Sequence, residues 1–129
     1  AFMKVYTFNV EYILWFVKEG KPYTFNKRFA KTNVIKTPMK DKFVKKYHPC
    51  QKPKCIILPL VKVHSNEGDI VLDCFVGSGT IPLVCSQLNR KFIGFELNVD
   101  YCNITNNRLK QGNLFSHFSD KKQEANKNE

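Results

Sequence analysis

The chain has 129 residues, 43% of them hydrophobic and 25% charged, with a formal net charge of +10 at neutral pH. That length admits one small domain and at most a tail, and the apolar share is enough for a buried core. It excludes a helical membrane span, because no apolar run approaches the roughly 20 residues a bilayer demands. The opening "AFMKVYTFNVEYILWF" also lacks the basic region, apolar core and small-residue cleavage site of a secretory leader. The expectation is a cytoplasmic chain, or a nuclear one in a eukaryote, without a membrane partner.

The charge is uneven. Residues 1–62 carry 14 Lys or Arg against 3 Asp or Glu, and residues 63–129 carry 7 against 8. A front half that basic attracts polyanions, nucleic acid first among them, unless its lysines only decorate solvated faces.

In chain order, "VEYILWFVKEGKPYTFN" (10–26) joins two β-branched and aromatic runs through "EGKP", the pattern of two strands and a turn. Residues 27–49 are basic, hold Pro38 and show no steady apolar period, which predicts a loop. In "PCQKPKCIILPLVKVHS", Ile56, Leu60 and Val63 recur at helical spacing and Ile57 and Val61 join their face. Pro53 suits the helix start, whereas Pro59 predicts a kink or an early stop. "NEGD" is a turn and "IVLDCF" a short apolar run of the buried parallel-strand type. "VGSGT" then turns the chain into a helix, "IPLVCSQLN", with Pro82 in its first turn. "RKFIGFE" is the next strand. "DYCNITNNRLKQ" is a helix capped by Asp100 or Asn98, with Tyr101, Ile104, Thr105 and Leu109 toward the sheet. The end, "SHFSDKKQEANKNE", is polar enough to predict disorder. The five cysteines have no CxxC pair, so a metal site from Cys50, Cys55 and His48 or His64 is a weak reading and small buried hydrophobes the plain one.

The stretch 69–96 carries the chemistry. A parallel strand entering a glycine turn and a helix start gathers exposed N–H groups and the positive end of the helix dipole. Gly77 and Gly79 remove Cβ atoms that would hold a ligand off the backbone. No Lys follows, so the turn is not a P-loop, and Pro82 stands where a dinucleotide fingerprint has its third glycine. Glu96 closes the second strand, where an acid can accept hydrogen bonds from both hydroxyls of a ribose. A plain αβ turn with a surface glutamate is the alternative.

"HPCQKP", then "GDIVLDCFVGSGT" and "FIGFELNVDYCNITNNRL", resemble in that order the amino-methylating DNA methyltransferases, which act on adenine N6 or cytosine N4. The likeness is to their permuted class, with the cofactor half at the C-terminus, and covers about residues 10–112. It implies an α/β fold, a partial Rossmann-like sheet with a β-hairpin on its N-terminal side, and S-adenosylmethionine as cofactor. It divides the chain into a partial methyltransferase domain over 1–115 (strand pair 1–26, basic loop 27–47, cofactor half 48–112) and a tail over 116–129. It implies that His48, Pro49, Gln51, Lys52 and Pro53 pack over the methionine end, with Lys52 a candidate partner for the carboxylate. Asp73, Phe75, Gly77, Ser78, Gly79 and Thr80 would form the cradle: Asp73 for the ammonium, Thr80 for the carboxylate, Phe75 as an apolar wall. Glu96 would hold the ribose.

The chain departs from the pattern at Cys50, where the family has Thr, at Cys74, where it has Pro, and at Ile81, where it has a second Thr. The family's Pro-Pro-aromatic loop, which takes the target amine, occurs nowhere in the sequence. The resemblance therefore implies a cofactor-binding portion, inactive alone, completed by a second polypeptide or a self-associated dimer. The DNA partner would meet Lys31, Lys36, Lys40, Lys42, Lys45 and Lys46 at its phosphates. A non-catalytic nucleic-acid-binding or partner subunit is the other reading.

Overall fold

The computed structural model describes residues 10–30, 32–37 and 47–111. Within them, helix α1 (Lys54–His64) is followed by strand β1 (Ile70–Asp73), helix α2 (Thr80–Gln87), strand β2 (Lys91–Gly94) and a helix over 99–111, α3. β1 and β2 pair in parallel, with Ile70 opposite Lys91 and Asp73 opposite Gly94. This is the α/β arrangement the sequence predicts, with one crossover helix. Both strands end before their apolar runs do: Phe75 and Glu96 lie beyond the ladder, in the turns at its carboxyl edge.

The core sits between the two helices and β1. Val61, Val84 and Cys85 are buried, and Ile57, Leu58, Val71, Ile81 and Leu88 pack against them. Full burial of one such valine contributes about 1.5–3 kcal/mol. That packing accounts for a departure from expectation: α1 runs through Pro59 to His64 without stopping. The proline costs the carbonyl four residues back its intrahelical N–H, but that residue, Cys55, is exposed, where water replaces the donor. Three of the five thiols (Cys50, Cys55 and Cys74) are exposed, and only Cys85 is buried, which corrects the expectation that all five are small core residues.

Arg90 fixes where both helices end. Its guanidinium donates to the Ser65 carbonyl (2.9 Å), the Ser65 hydroxyl (3.2 Å) and the Leu88 carbonyl. A cation at two helix C-termini satisfies orphan carbonyls and opposes both dipoles. Asn26 ties the preceding segment to the same place, donating its backbone N–H to the Val63 carbonyl (2.8 Å) and its side-chain amide to the carbonyls of Lys62 and Ser65 (3.0 Å each).

Residues 10–26 make the expected turn, at Glu19–Gly20, but their flanks form no ladder among the described residues. They pack on α1 through rings instead: Trp15 lies 5.3 Å from His64 and 5.6 Å from Tyr23, centroid to centroid. A two-stranded ribbon without a third strand is marginal in water, and side-chain burial against α1 takes its place. The predicted loop contains one 3-10 turn, Lys27–Phe29. The predicted disordered tail, 116–129, lies outside the described residues.

β1 was expected to be buried on both faces. Val71 and Asp73 are half-buried against the helices, but Ile70 and Leu72 face solvent, as does all of β2. β1 is therefore covered on one face and bare on the other.

Candidate cofactor site

The predicted site residues come together at the carboxyl ends of the two strands. β1 delivers Asp73, whose Oδ1 accepts the Phe75 N–H (3.1 Å) and fixes the exit from the strand. Gly77 and Gly79 both take left-handed backbone, φ +54° and +79°, which glycine adopts without the Cβ penalty. Gly79 is also the N-cap of α2, and Ser78, Gly79 and Thr80 are buried beneath the turn. The Phe75 ring stands 91% exposed at its lip.

Glu96 reaches back across the turn. Its Oε2 accepts the Gly77 N–H (2.7 Å) and its Oε1 accepts the Asn98 N–H (2.9 Å). Backbone donation from Asn98, then from Gly77, holds its carboxyl below the usual carboxylate range, with His48 adding a favourable field. Asn98 in turn caps α3, accepting the N–H groups of Asp100 (2.8 Å) and Tyr101 (3.3 Å); of the two predicted caps, Asn98 is the one used.

The segment 47–53 closes over the turn. The Ser78 hydroxyl donates to Gln51 Oε1 (3.0 Å), which also accepts the Tyr47 N–H (3.0 Å). The His48 ring packs on Tyr101 (4.4 Å between centroids), and a Cβ on Gly77 would lie 3.8 Å from it. Pro53 is the residue before α1. Lys52 does not point into this cluster in the way expected: its ammonium pairs with Glu11 at 2.5 Å, both side chains largely exposed. Of the predicted nucleic-acid lysines, Lys36 is exposed and Lys31, Lys40, Lys42, Lys45 and Lys46 lie outside the described residues.

The model of the "DNA methylase" family that covers N6 and N4 enzymes matches residues 4–107. The chain belongs to this DNA methylase family. It is 36% identical over 129 residues to the DNA adenine methyltransferase YhdJ of Escherichia coli, covering 90% of this chain and 43% of that protein. It is 34% identical over 121 residues to the Type II methyltransferase M2.LlaDCHI of Lactococcus lactis, covering 84% and 45%. Among solved structures it is similar to the M1.HpyAVI–SAM complex, with a TM-score of 0.61, 35% identity, and coverage of 71% of this chain and 46% of that one. The chain thus spans less than half the length of these relatives.

The DNA methylase turn is buttressed by Thr105, which the sequence pattern marks only as part of a helix face, and by Arg108, which it does not single out. The Thr105 hydroxyl donates to the Gly77 carbonyl (3.1 Å). Arg108 donates to the Ser78 carbonyl and lies over the Tyr47 ring at 5.1 Å; burial lowers its pKa from the usual arginine value. One guanidinium therefore joins α3, the glycine turn and the segment 47–53. The signal for it was present in the spacing: Tyr101, Thr105 and Arg108 are four and three residues apart, one helical face.

Arg108→Ala removes a charge-assisted hydrogen bond and a ring contact. The expected loss is about 1–3 kcal/mol in denaturant unfolding, and Arg108→Lys does not recover it, because an ammonium cannot bond the carbonyl and lie flat on Tyr47 together. An unchanged midpoint in Arg108→Ala would refute this role.

Proposed function

We propose that this chain is the S-adenosylmethionine-binding portion of a DNA adenine-N6 or cytosine-N4 methyltransferase. The observation that carries the reading is the Glu96 carboxylate held over a left-handed glycine turn, beside a strand-end aspartate and a free aromatic ring. That set suits the cofactor's three chemical parts. The Glu96 oxygens that accept the Gly77 and Asn98 N–H groups have further lone pairs for two ribose hydroxyls. Asp73 Oδ1 serves the Phe75 N–H, which leaves Oδ2 for the ammonium. The exposed Phe75 ring offers an apolar wall, and Thr80, at the first turn of α2, lies where the helix dipole favours a carboxylate. The bound cofactor would supply an electrophilic methyl group.

His48, Gln51 and Pro53 close the methionine side, and Lys52 reaches a carboxylate there by exchanging Glu11 for it, a small cost for an exposed pair. The exposed thiols Cys50 and Cys74, in place of the family's Thr and Pro, leave the positive-φ glycines as the elements that hold the turn. Leu97, exposed next to Glu96, is a further apolar surface for the base of the cofactor that the sequence reading did not single out.

Methyl transfer to an exocyclic amine needs a pocket for the extruded base. The sequence holds no Pro-Pro-aromatic loop to form it, so that pocket comes from a second polypeptide or another segment. The isolated chain is expected to transfer no methyl group to DNA: labelled-methyl incorporation stays at the level of a Glu96→Ala control. Incorporation above that control would refute the division of labour. The basic segment 27–46, with Lys31, Lys36, Lys40, Lys42, Lys45 and Lys46, faces DNA phosphates in this reading. DNA affinity should then fall at least tenfold between 50 and 200 mM salt if three or more phosphates are neutralised, by about 0.9 log units per phosphate per tenfold in salt. A flat response would favour neither this role nor a nucleic-acid-binding subunit.

A further inference from the structure

We propose a second binding site, for a phosphoryl group, at the end of the sheet opposite the cofactor turn. It is a cavity of about 340 Å³ whose wall includes Asn66 and Glu67, shortly before β1, and Asn89 and Arg90, directly before β2. The two turns are tied together by the Gly68 N–H, which donates to the Asn89 carbonyl (2.8 Å). Arg28, from the 3-10 turn, and Lys62, from α1, line the same cavity. Both lie against one ring: the Arg28 guanidinium is 4.6 Å and the Lys62 ammonium 5.6 Å from the Phe29 centroid. Neither pairs with a carboxylate among the described residues.

Arg28, Lys62 and Arg90 thus share one concavity with a single acid, Glu67. Asp69, close by in the chain, is engaged elsewhere: its Oδ2 accepts the Asn66 N–H (2.8 Å). Like charges gathered without a counter-ion repel, and concave walls focus their field on whatever anion enters. The carbonyl ends of α1 and α2 would oppose that anion, but Asn26 and Arg90 already occupy the carbonyls of Lys62, Ser65 and Leu88. The side-chain amides of Gln87 and Asn89 add donors to the wall. A tetrahedral oxyanion accepts from several donors at once, and a guanidinium fork matches it with two parallel bonds. Two sources share that chemistry, a small phosphorylated molecule and the backbone of a nucleic acid, and the basic segment that begins at Lys27 and Arg28 leads away from the cavity. The site does not rest on the methyltransferase reading. Its residues stand at the amino ends of the strands, whereas Gly77, Gly79 and Glu96 stand beyond their carboxyl ends.

The test titrates the full ¹⁵N-labelled chain with inorganic phosphate, replacing chloride at constant ionic strength, and separately with a short DNA duplex. Phosphate should give saturable shifts at the Arg28 side chain, the Glu67 backbone and the Gln87 and Asn89 side-chain amides. Arg28→Gln/Lys62→Gln should weaken binding roughly tenfold or more, the loss of at least one charge-assisted bond. Lys18→Gln/Lys21→Gln removes the same net charge from exposed positions outside the cavity and should bind as wild type does. Glu67→Gln removes the cavity's one acid and should bind tighter, a gain that damage to the fold would not produce. A duplex that competes with phosphate for these resonances identifies the backbone phosphodiester as the source. Phosphate binding that the duplex leaves untouched identifies a small phosphorylated ligand. Absence of saturable shifts with both, shifts that survive Arg28→Gln/Lys62→Gln, an equal loss in Lys18→Gln/Lys21→Gln, or no gain in Glu67→Gln would each overturn the proposal. None of these results bears on the cofactor reading, which the heat of S-adenosylmethionine binding tests at the other end of the sheet.

Discussion

Glu96→Ala should lower S-adenosylmethionine affinity about 100-fold or more in a calorimetric titration. The carboxylate is asked to accept two ribose hydroxyls, and a hydrogen bond to a charged group contributes about one to two decades of affinity, so the loss of both spans roughly two to four decades. The same change frees the Gly77 and Asn98 N–H groups, so the turn loses its order along with the ligand's partner. Acid has a related effect with a definite sign. The folded-state pKa lies below the ordinary value of 4.5, so the stability that the carboxylate contributes is complete above that value. It drains away as the pH falls toward the lowered folded pKa. Stability and affinity should therefore hold from neutrality down to the ordinary glutamate range and drop below it, and in Glu96→Gln this component of the drop should vanish. A wild-type affinity indifferent to Glu96→Ala would refute the ribose assignment.

Gly79→Ala should cost about 2–5 kcal/mol in equilibrium unfolding. A Cβ at this position would lie 2.6 Å from both Cγ2 and Oγ1 of Thr105 and 2.9 Å from its Cβ. Such overpacking costs about 1–3 kcal/mol, and the left-handed backbone at φ +79° adds about 1–2 kcal/mol for any residue with a Cβ. The neighbour cannot swing clear, because the contact reaches the branch point of Thr105 and its hydroxyl is engaged by the Gly77 carbonyl. Gly77 differs: a Cβ there meets nothing closer than 3.8 Å, so its requirement is conformational. A Gly79→Ala midpoint within about 0.5 kcal/mol of wild type would show that α3 does not press on the turn as described.

The centre of the molecule was legible because its signals are local. The run from Ile70 to Asp73, the two glycines, Pro82 and the acid at 96 each speak for their own backbone, and the structure places them as a strand, turn, helix and strand. What was not legible depends on contacts distant in sequence. Pro59 reads as a stop, yet α1 continues, because packing on α2 outweighs one lost hydrogen bond. The aromatic runs of 10–26 read as strands, yet pairing needs a neighbour, and the rings of Trp15 and Tyr23 went to His64 and α1. The apolar pattern of β1 predicts cover on two faces, while the chain supplies it on one. The motif places Lys52 at a ligand, and its pairing with Glu11 spans 41 residues that no local pattern connects. Arg108 is not among the residues the sequence places on the helix face, because its reach to the Ser78 carbonyl depends on the turn folding beneath it.

The central claim is that the Gly77–Ser78–Gly79 turn is shaped for the cofactor. The most direct measurement follows the backbone amide resonances of the ¹⁵N-labelled chain during addition of S-adenosylmethionine. The account predicts saturable shifts concentrated at Gly77, Ser78, Gly79 and Leu97 that disappear in Glu96→Ala. Resonances that stay in place at millimolar cofactor, or that move only at positions remote from the turn, would contradict it.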